Sequence, residues 1–274
     1  MKMLTKTGVC GQNCGNSRIT KKRGTKMQID FYFWGSMCPI SDEIIQTLSH
    51  YKTKLDIRFH DITNNSDLAK RKNIFFPFLT IVNNEKRYYG PISEIFLQTL
   101  CSGMMPKETP YKITMGTVEK SVVVRPITKN NYFLASQCTG RESCSGCSQK
   151  VKMYQNFPDE IFGFMNTDGE TLLGGAEYFP SLYVPYDIPK GEEIAFITCV
   201  YLSDETFDYK SAPLKALEQY LSEKYKKAVV ISDEEGTFPN GNANFFEKNG
   251  YHDEKVIFED DYCRLHLFTK ELTT

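Results

Sequence analysis

Short apolar blocks rich in β-branched and aromatic residues recur along the chain, each followed by a stretch whose apolar positions return every three or four residues. The blocks fit buried strands and the stretches fit amphipathic helices. In the first third this predicts a strand over 29–34, a helix over 39–51, a strand over 55–60 and a short helical stretch at 67–72. A strand over 78–82, a turn at Asn83-Asn84, a strand over 86–89 and a helix over 93–101 complete an α/β unit spanning 27–102. Prolines and a glycine at 103–110 break the pattern, so 103–120 is expected to be a linker.

A second α/β unit is expected over 121–274. It begins with a strand over 121–127 and passes through a polar Gly/Ser/Cys stretch. A hairpin follows, with arms at 161–164 and 172–179 around Asn166-Thr167-Asp168-Gly169. Then come a strand over 193–202, a helix over 213–226, a strand over 228–232, a helix over 242–249 and strands at 256–259 and 263–269. Residues 1–26 read as a flexible basic leader.

Charge sharpens this division. Residues 1–26 hold seven basic side chains and no acidic one, which leaves 26 basic against 34 acidic in the remainder, a balance of −8. A body of that sign is poor material for displacing counterions from nucleic acid, so no nucleic-acid partner is expected. The apolar run at 194–202 is too short to span a bilayer and 1–26 has no apolar segment of a secretory kind, so neither a membrane partner nor export is expected. The expected address is the cytoplasm, where nine cysteines read as thiols before disulfides. Oligomeric state is left open.

The first candidate chemistry is Phe33-Trp34-Gly35-Ser36-Met37-Cys38-Pro39-Ile40-Ser41, which puts a cysteine where a strand turns into a helix. Amides and the helix dipole favour a thiolate there, and Pro39 suits the first helical turn. With Ile74-Phe75-Phe76-Pro77-Phe78-Leu79 and Tyr89-Gly90 before the last helix, this segment resembles the thioredoxin fold over 28–101. The resemblance implies that Pro77 faces Cys38 as a cis-proline. Ser41 stands where a second cysteine is usual, which excludes a dithiol cycle within this motif; its hydroxyl would instead hydrogen-bond a Cys38 thiolate.

The second candidate rests on Val122-Val123-Val124-Arg125-Pro126, the strand Ala195-Phe196-Ile197-Thr198-Cys199-Val200-Tyr201-Leu202, and Asn244-Phe245-Phe246-Glu247-Lys248-Asn249-Gly250-Tyr251. Their order resembles the GNAT superfamily of N-acyltransferases over 121–270. The run Glu177-Tyr178-Phe179-Pro180-Ser181 is similar to the YoaP-like subgroup, which pairs such a domain with a thioredoxin-like one. The resemblance implies acetyl transfer from acetyl-CoA to the amine of a small molecule or peptide. Amides at Val200, Tyr201 and Leu202 would polarise the thioester. The segment holding Tyr209, Lys210, Ser211 and Ala212 would meet the pyrophosphate. That segment, Thr206-Phe207-Asp208-Tyr209-Lys210-Ser211, lacks the family's glycines and carries acidic neighbours. Phe246 stands where the family places a tyrosine acid, so Tyr251 and Cys199 are the substitutes.

Cys138, Cys144 and Cys147 are spaced C-x5-C-x2-C, and Cys10 and Cys14 lie in the leader. No histidine stands in the first of these segments to complete a tetrahedral site, so no metal is expected, and the other readings are plain surface thiols or a thiol pair exchanging with Cys38. Two rivals to the transferase remain: a thiol redox protein acting through Cys38, and a catalytically degenerate protein that binds a ligand or partner.

Overall fold

The computed structural model describes residues 26–107, 114–139, 159–236 and 242–273, with Lys112, Lys150, Met153, Tyr154, Phe157 and Asn240. It is a mixed α/β structure built on two main sheets. The first follows β1 (Gln28–Phe33), α1 (Pro39–Ser49), β2 (Asp56–Asp61), α2 (Ser66–Arg71), β3 (Phe78–Val82), β4 (Lys86–Tyr88) and α3 (Glu94–Cys101). Its strand order is β2-β1-β3-β4. β1 runs parallel to β2 because a helix crosses between them. β3 and β4 form a hairpin through Asn83 and Asn84, both at positive φ, 51° and 56°, which the short asparagine side chain tolerates. Asn65 and Ser93 cap α2 and α3, accepting the Leu68 and Phe96 amides at 3.1 and 3.2 Å.

The second part contains β5 (Val118–Glu119), β6 (Val123–Thr128), α4 (Tyr132–Ala135), a 3-10 turn (Ser136–Thr139), β7 (Ile161–Asp168) and β8 (Thr171–Pro180). After another 3-10 turn (Ser181–Tyr183) come β9 (Ile194–Tyr201), β10 (Phe207–Asp208), α5 (Ser211–Leu221), β11 (Lys227–Asp233), α6 (Ala243–Lys248), β12 (His252–Glu259) and β13 (Arg264–Glu271). Seven strands form the main sheet in the order β12-β13-β11-β9-β8-β7-β6. β9 and β11 are its parallel pair, with α5 as the crossover. The stripe Leu214, Leu217 and Leu221 is fully buried and seats α5 on β7 and β8.

The two sheets share one large hydrophobic cluster, and the first sheet has a second of its own around Ile29, Phe31, Phe78 and Leu97. Trp34 stacks edge-on against Phe179 and Tyr186 with ring centroids 5.4 and 5.3 Å apart, and Tyr89 stacks on Tyr262 at 4.7 Å. Phe75, Phe76 and Ile74 are buried in the same cluster as Phe196 and Tyr178. The Tyr89 hydroxyl donates to Asp260 across the seam.

Three expectations change. The hairpin turn expected around Asn166-Thr167-Asp168-Gly169 comes later, at Gly169 and Glu170, because Asn166, Thr167 and Asp168 pair with β8 as the end of β7. The stretch expected to be a linker includes β5, which pairs in parallel with β10 and so lies along the loop after β9. Asn166, fully buried on β7, fixes its end by accepting the Val122 amide at 2.9 Å and donating to the Lys120 carbonyl at 2.9 Å. The helix expected to run to 226 ends at Leu221, where the polar run Ser222-Glu223-Lys224 no longer supplies an apolar stripe. Among the described residues no helix is long and apolar enough to cross a membrane.

Candidate functional site

The main sheet opens between β9 and β11. The two strands pair from Lys227↔Ile194 to Val230↔Ile197 and no further. On its other edge, β9 carries one extra residue: Glu177 pairs with Cys199 and Tyr178 with Ile197, so Thr198 is a β-bulge. A bulge bends and twists its strand, and the bend falls where the parallel pairing stops. Beyond it, Asn240 spans the gap. Its carboxamide oxygen accepts the Val200 amide at 3.1 Å and its nitrogen donates to the Ile231 carbonyl at 2.8 Å. The Thr198 hydroxyl is buried beside this opening with no hydrogen-bond partner. Leu202 follows at φ 57°, a left-handed conformation that turns the chain away from the sheet. The Val200 amide expected to polarise a thioester is thus held by Asn240, which the sequence reading did not single out.

The loop after Leu202 leads to the start of α5, and its own carboxylates close it. Asp204 accepts the Thr206 amide at 2.7 Å and also the Phe207 amide. Asp208 accepts the Lys210 and Ser211 amides at 2.8 and 3.1 Å and the Ser211 hydroxyl at 2.6 Å. Pro213, in the first turn, has no N–H to offer, which leaves the Ala212 amide as the remaining donor of that turn. β5 lies over the same loop. The Thr117 and Val118 amides donate to the Thr206 carbonyl at 3.1 Å, and the Lys120 amide donates to the Asp208 carbonyl at 2.9 Å. Gly116 passes so close that a Cβ there would come within 2.2 Å of the Phe207 carbonyl.

Lys210 does not present its charge to this loop from solvent. Its side chain is fully buried, with Nζ 2.9 Å from the Met115 sulfur and 5.0 Å from the centre of the Phe245 ring. Burial lowers its pKa to about 8, with Asp208 opposing that shift. Tyr209 is half-buried, with its ring 5.9 Å from that of Phe207.

Cys199 belongs to a different wall. It sits opposite Glu177 in register, and Glu177 is fully buried in a 2.7 Å ion pair with Lys150 while also accepting the Tyr154 hydroxyl. Burial opposes charge on Lys150, but Glu177 together with Tyr154, Cys138 and Cys199 outweighs it and holds the ammonium well above its usual pKa. The Cys199 thiol is pushed well up by burial, with Glu177, Cys38 and Cys138 adding to the effect and Lys150 opposing it. Tyr201 is buried over Gly175, and its hydroxyl is likewise raised by burial and by Glu177. Tyr251 is elsewhere: it packs against Phe246 at 5.4 Å, under the Lys270 ammonium and beside Glu218, and burial raises its pKa well above normal. The structure does not bring Tyr251 and Cys199 together.

Cys38 is the N-cap of α1, and α1 packs against the 3-10 turn that carries Cys138. The expected acidic thiolate is not found. Cys38 is buried, and desolvation pushes its thiol up to about 12, with Cys138 raising it further while the Ile40 and Ser41 amides and Lys150 only partly offset this. The Ser41 hydroxyl is buried without a hydrogen-bond partner, so it does not hold the Cys38 sulfur; the backbone amide of Ser41 faces that sulfur instead. The Pro77 carbonyl accepts the Trp34 amide at 2.9 Å. Cys10, Cys14, Cys144 and Cys147 lie outside the described residues, and among the described residues no three His, Cys, Asp or Glu side chains cluster as a metal site.

Between the two halves is a cleft of about 670 Å³. Trp34, Phe157, Phe179 and Tyr183 form aromatic walls, and Ser36, Thr63, Asn64 and Ser66 provide a polar side. Phe157 and Phe179 also stack around Tyr154, at 6.0 and 6.1 Å, so one aromatic layer separates the cleft from Glu177. Lys150, Tyr154 and Asn240 escaped the sequence reading, and Glu177 entered it only as part of the run 177–181, with no role of its own. Glu177 alone gave a signal, a lone carboxylate in an otherwise apolar strand; the partners of the other three come from distant segments.

No protein-family model and no curated protein matches the chain. Several solved structures are similar over about half of it, with low TM-scores. An aminoglycoside 6'-N-acetyltransferase complexed with coenzyme A is 12% identical, with 56% of this chain and 98% of that one covered at a TM-score of 0.41. The ribosomal-protein-alanine N-acetyltransferase from Brucella melitensis is 14% identical over 55% of this chain and 100% of its own, at 0.40. The spermidine/spermine N-acetyltransferase from Vibrio cholerae is 12% identical over 55% and 92%, at 0.39.

Proposed function

We propose that the chain is a GNAT-type N-acyltransferase, of the YoaP-like kind, that moves an acetyl group from acetyl-CoA to an amine of a small molecule or peptide. The observation that carries this reading is the opening between β9 and β11 at the Thr198 bulge. It offers an interrupted strand edge and a buried hydroxyl without a partner. The Asn240 carboxamide already bridges the Val200 amide and the Ile231 carbonyl at this edge, and an extended, amide-bearing arm would pair with the edge in its place, as an added strand would. The start of α5 does not fit a pyrophosphate, because Asp208 already holds its amides.

Acetyl-CoA, when bound, supplies an activated thioester; in the net reaction an N–C bond forms, the C–S bond breaks and the amine proton goes to the departing sulfur or to solvent. The chain's own contribution is orientation and exclusion of water. Asn240 keeps the two strands at a fixed separation. Lys150, Tyr154 and Glu177 brace the wall behind Cys199, and the committed Glu177 carboxylate is a structural group rather than a base.

Residues 27–102 form, in this reading, a thioredoxin-like unit. The sheet order β2-β1-β3-β4 and the Pro77 carbonyl on the Trp34 amide support it. It roofs the acceptor side, and the aromatic cleft between the halves is where the acceptor enters. The raised Cys38 thiol speaks against redox exchange at that position. The test is release of free CoA thiol from acetyl-CoA by the full chain over a panel of primary amines, with product masses read in parallel. Amine-dependent release with an acetylated product is expected; its absence across small amines and peptides alike would sink the transferase.

A further inference from the structure

The opening in the sheet and the start of α5 give opposite answers about an acyl donor. At the opening, the strand edge is interrupted, the Thr198 hydroxyl lacks a partner, and the group that bridges the gap is the neutral carboxamide of Asn240, which an arm bearing amides can replace in kind. At the helix start, where an anion would ordinarily find free amides and a favourable dipole, all the donors but the Ala212 amide are taken. Asp208 occupies the Lys210 and Ser211 amides and the Ser211 hydroxyl, Asp204 occupies those of Thr206 and Phe207, and Pro213 contributes none. Two carboxylates thus stand where phosphates would have to sit. Lys210 is buried against Met115 and Phe245 rather than turned to the loop, and the exposed Lys120 ammonium is seated over the Phe207 ring at 4.1 Å. β5 covers the loop from outside with the backbone of Gly116 pressed against Phe207. A pyrophosphate arriving here would meet like charge and occupied donors.

We propose that the donor is recognised through its acyl-pantetheine arm alone, with the nucleotide end of coenzyme A left in solvent, so that any acyl thioester of pantetheine serves as donor. The inference rests on the acyltransferase reading and narrows it to a class of substrate. It separates the work of the two features: the Thr198 opening binds, and the Asp208 cap repels. The charge on Asp208 is the discriminating element, because asparagine in its place keeps an oxygen for the Lys210 and Ser211 amides while removing the repulsion.

Calorimetric titration of the full chain with coenzyme A, with pantetheine and with adenosine 3',5'-bisphosphate tests this. Coenzyme A and pantetheine are expected to bind within about threefold of each other, the bisphosphate not to bind, and added salt to leave the coenzyme A affinity nearly unchanged. In Asp208→Asn, checked for an unchanged melting profile, coenzyme A is expected to tighten by about tenfold while pantetheine does not move. Coenzyme A binding a hundredfold or more tighter than pantetheine, or the bisphosphate competing with it, overturns the inference and leaves the acyltransferase standing. If neither coenzyme A nor pantetheine binds, the acyltransferase reading falls and this inference falls with it.

Discussion

Replacing Lys210 with methionine should stabilise the protein at neutral pH and erase part of its pH dependence. Lys210 is fully buried and its pKa is lowered to about 8 by desolvation. In the unfolded chain a lysine titrates near 10.4. Between those values the unfolded state binds more protons than the folded one, so stability rises with pH through this window. At neutral pH both states carry the charge, and the folded state bears the full cost of burying it. A difference of two to three pKa units corresponds to about 3 kcal/mol, of which about 2 kcal/mol is recovered between pH 7 and pH 9.5. Methionine has similar length and suits a pocket lined by Met115 and Phe245. The assay is urea denaturation of the wild type and Lys210→Met at several pH values across that range. Lys190, also lowered to about 8, contributes a rise over the same window, and the raised thiols of Cys38 and Cys263 act in the opposite direction. These act equally in both proteins, so the difference between the two curves isolates Lys210. The variant should start about 3 kcal/mol more stable and the gap should shrink to about 1 kcal/mol by pH 9.5. Parallel curves would refute the burial of a charged Lys210.

Three further outcomes are expected. Lys150→Met should cost about 3–5 kcal/mol by leaving Glu177 buried and unpaired, whereas Lys150→Met combined with Glu177→Leu should recover most of that loss in the same denaturation assay; a double variant as unstable as the single would contradict it. Iodoacetamide at pH 8 should label the exposed Cys101 and spare Cys38 until denaturant is added, since a thiol of pKa about 12 is about one part in ten thousand thiolate there; peptide mass mapping reads this, and equal labelling would refute it. Asn240→Ala should lower stability by about 1–3 kcal/mol, because it strands the buried Val200 amide, and amide exchange at Val200 should quicken; unchanged protection would show that Asn240 is not the clasp.

Much of the architecture is written in local patterns. The apolar block at 194–201 is a strand because β-branched and aromatic residues fill it, and Asn83-Asn84 makes its hairpin because asparagine accepts positive φ. β5 escaped because a two-residue strand has no period; what fixes it is the Asn166 carboxamide and the carbonyls of a loop far along the chain. The site divided along the same line. Asp208 was legible as a charge hostile to phosphate, and the structure adds that it is also the cap that takes up the helix amides. Cys38 was legible in position but not in state: a strand-to-helix turn favours a thiolate only in contact with water, and Cys38 is instead buried in the core of its own sheet with Ile29, Phe31 and Phe78. Glu177, Lys150 and Asn240 act through pairings made only in three dimensions.

The aromatic seam of Trp34, Phe75 and Tyr89 against Phe179, Tyr186 and Tyr262 has a consequence for how the molecule comes apart. Neither sheet has a closed core of its own on that side, so separating them uncovers rings that water penalises. Melting should therefore be a single cooperative event for both halves. Cutting the chain between them would leave two sticky fragments in place of two autonomous modules, and evolution could not shuffle either half to a new partner without first repainting this face.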